Sequence, residues 1–138
     1  MKKIAIVNGI NLGELGTREV NVYGHTDFNS YFKILQERYP NVELIDFQSN
    51  NVEELTNFML QHKHCDGIIL NPGAFTHTSV ILADTIAAIP AKVVEVHISN
   101  LFGRENFRKN SLIASKCHGS LCGFGLSGYE LALFYLIH

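Results

Sequence analysis

Five short apolar runs, set apart by stretches of helical periodicity, restrict this chain more than any other feature. The runs cover residues 3–8, 42–47, 68–70, 92–98 and 119–123, and each has the length and composition of a buried strand. Between the first two, Asp27 can cap a helix reaching about Arg38, with Phe28, Tyr31, Phe32 and Leu35 on one stripe. Asn50 or Asn51 can cap a second helix carrying Leu55, Phe58, Met59 and His62 on one side. A third spans about Thr78–Ala88 and stops ahead of Pro90, and a fourth spans Ser127–Ile137. Strand–helix alternation of this kind predicts a parallel sheet with helices on both faces. At 138 residues the chain suits one α/β domain, residues 1–138, as a flavodoxin-like three-layer fold with strand order 2-1-3-4-5. Ligands of such sheets bind beyond the C-terminal strand ends, at the switch point between the first and third strands.

The fourth run, Val93-Val94-Glu95-Val96-His97-Ile98-Ser99-Asn100, ends at that edge and carries two polar side chains. Glu95 and His97 are two residues apart, so they point to the same side of the strand. A carboxylate beside an imidazole can fix the ring's tautomer and raise its proton affinity, which suits acid–base chemistry. The same pair also reads as a satisfied core contact.

Two further segments converge on this edge. Gly13–Gly24 is longer than most connections in such folds, and its glycines flank Arg18 and Tyr23, the makings of a closing lid. A nearby guanidinium favours the phenolate over the phenol; the plainer reading is a solvated arginine and a rim tyrosine. Asn71-Pro72-Gly73-Ala74-Phe75-Thr76-His77-Thr78-Ser79 follows the third strand, where a helix N-terminus suits an anion and Asn71 and His77 add neutral donors. Thr76, Thr78 and Ser79 also read as simple caps.

On the third helix, Ile81, Leu82, Thr85, Ile86 and Ile89 form the face expected to meet the sheet. Asp84 lies away from it, beside Val80, Ala83 and Ala87. A second apolar face implies a subunit contact, so Asp84 is either a neighbour's active-site residue or a solvated aspartate. Arg104 and Arg108 offer guanidiniums near the same edge, for substrate or for surface pairs.

Composition excludes several function classes. Hydrophobic residues make up 46% and charged residues 17%, with a net charge of −2, which fits a compact fold without general attraction to nucleic acid or anionic membrane. The apolar run after Met1-Lys2-Lys3 is too short for a signal peptide, and no run approaches membrane-spanning length. Three cysteines without a CxxC pair read as free thiols, which suits a cytoplasmic protein. Gly123–Gly128 matches GxGxxG but opens the last helix, so tight-turn glycines explain it better than a dinucleotide site. His62-Lys63-His64-Cys65 has too few ligands in sequence range for a metal centre.

Several segments occur together in an order that resembles type II 3-dehydroquinate dehydratases. They are Asn8-Gly9-Ile10-Asn11-Leu12, Gly16-Thr17-Arg18-Glu19 through Tyr23-Gly24, Gln48-Ser49-Asn50, Asn71–Ser79, Glu95–Asn100 and Arg104–Arg108. The resemblance implies a shikimate-pathway lyase that removes water from 3-dehydroquinate by anti elimination through an enolate. It implies Tyr23 as base activated by Arg18, His97 as general acid oriented by Glu95, and Asn11 holding the water that stabilises the enolate. Asn71, His77, Arg108, and the backbone of Ile98 and Ser99 are implied to hold the substrate. Asp84 takes the place of the family's aspartate from an adjacent subunit. A dodecamer built from trimers, with no metal and no cofactor, completes the expectation. Ile10, Gly13-Glu14, Phe75 and Leu101-Phe102-Gly103 depart from the family's usual pattern, without removing a group from that chemistry. The reading from another class is a flavodoxin-like nucleotide- or flavin-binding module. It calls for a hydroxyl-rich phosphate loop after the first strand, and Gly9–Gly16 offers none.

Overall fold

The structure, a computed structural model, describes residues 1–9, 27–103 and 110–138. Among these, the chain order is β1 (Lys2–Asn8), α1 (Phe28–Arg38), β2 (Val42–Gln48), α2 (Val52–Gln61), β3 (Gly67–Asn71), α3 (Val80–Ala88), β4 (Lys92–His97), β5 (Gly119–Cys122) and α4 (Ser127–Ile137). Short 3-10 turns occupy Gly73–His77, Leu101–Gly103 and Ala114–Lys116. The five strands form one parallel sheet in the order β2-β1-β3-β4-β5, the expected order. The expected lid over Gly13–Gly24 and the guanidiniums of Arg104 and Arg108 lie outside the described residues.

Parity along the strands divides the core in two. Ile4, Ile6, Ile69, Val94 and Val96 pack with α1 and α4 through Phe28, Phe32, Leu35, Tyr129, Leu133 and Leu136. Their alternates Ala5, Val7, Ile68, Leu70 and Val93 pack with α2 and α3 through Leu55, Met59, Leu82 and Ile86. Side chains on a strand alternate between faces, so a sheet covered on both sides needs apolar residues at successive positions. That is why these strands read as runs rather than as alternating patterns.

The helices start where their caps dictate. Asp27 accepts from Ser30 N at 2.8 Å ahead of α1, and Asn51 accepts from Glu53 N and Glu54 N at 2.8 and 3.2 Å ahead of α2. Of the two asparagines the sequence offered, Asn51 is the cap. Helix α3 begins later than expected: Gly73–His77 forms a 3-10 turn, and Ser79 caps the helix by accepting from Leu82 N at 3.0 Å. Its buried face also differs. Leu82, Ala83, Ile86 and the following Ile89 face inward, whereas Ile81 is 59% exposed. Helix α3 is apolar almost all round, so its pattern alone does not single out a docking face. At the far end of the sheet, Gly123 and Gly125 adopt φ of 91° and 58°, the left-handed turn conformations that favour glycine.

Leu133 is fully buried between α4 and the sheet. Leu133→Ala is predicted to cost about 2–5 kcal/mol of unfolding free energy, measured by urea denaturation.

Candidate active site

Register brings the polar strand ends level with one another. Asn8 pairs with Gln48 on one side and Asn71 on the other, while Glu95 pairs with Leu70 and Ser120. The exits of β1 and β3 are tied at this edge: Gly9 N donates to the Asn71 carbonyl at 2.7 Å, and Gln48 Nε2 donates to the Gly9 carbonyl at 3.2 Å. A side chain at position 9 would put its Cβ 2.3 Å from the Pro72 carbonyl oxygen, so only glycine permits this approach.

Glu95 has no exposed surface and His97 is 5% exposed. Counting from Val93 and Val94, both polar side chains fall on the α2/α3 side of the sheet. His97 Nε2 donates to Glu95 Oε2 at 2.5 Å, and Thr76 Oγ1 donates to the same oxygen at 2.5 Å. Ser111 Oγ lies 3.0 and 3.2 Å from the two carboxylate oxygens, and Ser120 Oγ lies 3.4 Å from Oε1. Burial by itself would push the Glu95 carboxyl up. The bonds and charge from His97 and the bonds from Thr76 and Ser111 outweigh it, holding the carboxyl below the usual carboxylate range. A buried anion matched by this many donors fixes the imidazole through one nitrogen.

Thr76 is therefore not a helix cap, and Ser111 went unsuspected. Their common partner is 19 and 16 residues away in sequence, so neither carries a local signal. His77 lies beside Thr76, and its Nδ1 donates to the Asn110 carbonyl at 2.5 Å.

Asn71 points to the opposite side of the sheet from Glu95. Its Nδ2 donates to Tyr129 Oη at 2.9 Å, and Tyr129 Oη donates to Asn8 Oδ1 at 2.6 Å. Ile98 is buried, with its carbonyl accepting from Gly125 N at 3.0 Å, and Ser99 is half-buried beside it. Asp84 is exposed on α3, flanked by Val80 and Ile81, which are 63% and 59% exposed. The structure thus unites Glu95, His97, Thr76, Ser111 and Ser120 in one network. It gathers Asn8, Asn71 and Tyr129 in a second, at the neighbouring strand ends. Asn11, Arg18, Tyr23 and Arg108 lie outside the described residues.

The thiol of Cys117 reports on the first network. Burial, and then the Glu95 charge, push it up to about 12. Among the described residues, no group of three or more His, Cys, Asp or Glu side chains could hold a metal ion, and no helix is long and apolar enough to cross a membrane.

Comparison with known proteins gives one consistent result. A family model described as Dehydroquinase class II matches residues 2–137. A protein of Caldicellulosiruptor saccharolyticus named 3-dehydroquinate dehydratase is 44% identical, covering 99% of this chain and 97% of its own. One of the same name from Bacillus cereus is 46% identical, covering 99% and 96%. The crystal structure of a type II dehydroquinase from Butyrivibrio crossotus superposes with a TM-score of 0.95 at 37% identity, over 99% of this chain and 98% of that one.

A carboxyl held low when folded stabilises the protein above its unfolded value of roughly 4.3, and that stability is lost as pH falls through the folded value. Unfolding free energy should therefore decline on acidification below about pH 4.5, with a shallower decline in Glu95→Gln, as read by denaturation across the acid range. Alkylation at neutral pH should leave Cys117 the slowest of the three thiols, and Glu95→Gln should speed it, as read by mass spectrometry.

Proposed function

The chain belongs to the class II dehydroquinase family and carries its 3-dehydroquinate dehydratase activity, and from that premise we propose how its residues divide the reaction. Tyr23, as the phenolate, removes the proton alpha to the ketone of 3-dehydroquinate, with the Arg18 guanidinium favouring the ionised phenol. The electron pair moves into the ketone oxygen, and a water held by Asn11 stabilises the resulting enolate. Collapse of the enolate expels the hydroxyl beta to the ketone. His97 protonates it, so that water leaves and the conjugated double bond of 3-dehydroshikimate forms. Glu95 holds His97 Nε2, so Nδ1 carries the proton that is transferred. Asn71, His77, Arg108, and the N–H groups of Ile98 and Ser99 bind the substrate's hydroxyls and carboxylate.

The observation that carries this reading is the buried Glu95–His97 pair at 2.5 Å, within reach of the Thr76 and Ser111 hydroxyls, at the strand edge where α/β sheets bind ligands. A carboxylate so completely matched leaves the imidazole little freedom to turn, and proton transfer rewards a fixed donor. No step calls for a metal or a cofactor.

We read residues 1–138 as one catalytic domain of a cytoplasmic homo-oligomer, a dodecamer built from trimers, with Asp84 reaching a neighbour's site. The exposed Val80 and Ile81 beside Asp84 support a subunit contact along α3.

Purified protein mixed with 3-dehydroquinate should produce a catalytic rise in ultraviolet absorbance as the conjugated product forms. Tyr23→Phe should fold normally and lose turnover by orders of magnitude; near wild-type turnover would refute the base assignment. Borohydride added with substrate should not inactivate the enzyme, whereas inactivation with a modified lysine would indicate a Schiff-base mechanism.

A further inference from the structure

Tyr129 is the one fully buried tyrosine among the described residues, with its ring in the core and its hydroxyl at the polar strand edge. Its ring packs edge-on against Phe28, centroids 5.1 Å apart, which settles where the ring lies. The hydroxyl ends between Asn8 and Asn71, which are register partners on β1 and β3 and each 2% exposed. A phenol has one hydrogen to donate. Here it goes to Asn8 Oδ1 at 2.6 Å, so a lone pair faces Asn71 and accepts from Nδ2 at 2.9 Å. Gly73 N donates to Asn71 Oδ1 at 3.3 Å from the other side. The two ends of the Asn71 amide are therefore told apart, with nitrogen toward α4 and oxygen toward the turn after β3.

We propose that Tyr129 is a positioning residue for the dehydration, setting through a directed hydrogen-bond chain which end of the Asn71 amide meets the substrate. The chain takes its direction at Asn71, whose Oδ1 accepts from Gly73 N and whose Nδ2 therefore faces Tyr129. An amide nitrogen can only donate, so the Tyr129 hydrogen is left for Asn8 Oδ1, which holds the hydroxyl in that sense. The second Nδ2 hydrogen of Asn71 is then the group offered to a substrate hydroxyl. The same chain ties β1, whose exit leads into the segment bearing Asn11, Arg18 and Tyr23, to β3, whose exit bears His77. The inference rests on reading Asn71 as a substrate contact, and it extends that reading to a residue 58 positions away.

Tyr129→Phe keeps the ring and its contact with Phe28 but leaves Asn71 Nδ2 without this acceptor and Asn8 without this donor. It should lower kcat/KM by about tenfold or more, chiefly through KM, at temperatures where the variant is fully folded. In an Asn71→Ala background the same substitution should have almost no effect on kcat/KM, because the residue it acts through is gone. Asn8→Ala, which frees the hydroxyl to reverse and the amide to turn over, should give a smaller loss of the same kind, and it serves if Tyr129→Phe folds poorly. A crystal structure of the variant should show the Asn71 amide turned or split between two orientations. Wild-type kcat/KM in Tyr129→Phe, full additivity with Asn71→Ala, or an unmoved amide would each overturn the proposal. Absence of turnover in the wild-type control would instead refute the dehydratase reading, while the amide orientation would still decide this one.

Discussion

A carboxylate with no exposed surface must be met by donors on every side, and the C-terminal edge of this sheet is arranged to supply them to Glu95. The imidazole two residues along the same strand supplies one, the turn after β3 supplies Thr76, the segment before β5 supplies Ser111, and β5 itself brings Ser120 alongside. Removing a charge from water costs several kcal/mol unless such partners are present. Their convergence therefore constrains several parts of the fold at once. Leu112 N donates to the Thr76 carbonyl at 2.7 Å, and Ser111 Oγ accepts from Ile113 N and Ala114 N, so the segment that leaves the site is fastened where it serves the carboxylate. The catalytic reading of His97 depends on this anchoring, since an imidazole that could swing would be a poor proton donor.

Strand parity also gives this edge two differently lined sides. Glu95 and His97 project toward the α2/α3 layer, while Asn8 and Asn71, at the ends of adjacent strands, project toward α4 and its tyrosine. A parallel sheet whose residues alternate in direction can line a site from both of its faces without bending its strands. The Gly9–Asn71 hydrogen bond, possible because position 9 has no side chain, brings the two halves close at the switch point.

Much of this was legible in the sequence because buried parallel strands must be apolar at successive positions, and Asp27 and Asn51 mark helix starts by local chemistry. Glu95 and His97 stood out as the polar interruptions of such a run, and spacing alone placed them on one side. Thr76, Ser111 and Tyr129 did not stand out, since hydroxyls and a tyrosine are ordinary in turns and cores. Their meaning comes from partners brought near by register and packing, which no local pattern records. Helix α3 shows the limit in another form: Ile81 and Ala83 exchanged expected burial because a helix apolar on nearly all sides is oriented by what it docks against. The assignments of Asn11, Arg18, Tyr23 and Arg108 rest on family resemblance, as these positions lie outside the described residues.

A base and the Glu95-held His97 acting on opposite faces of the substrate would dictate the stereochemistry of proton loss. With 3-dehydroquinate deuterated at one or the other of the two positions alpha to the ketone and next to the departing hydroxyl, mass spectrometry of the product reports which hydrogen is removed. Loss of the deuterium anti to that hydroxyl, with retention of the syn label, is the predicted result. Loss of the syn label would contradict the division of roles between Tyr23 and His97, whatever the rate of turnover.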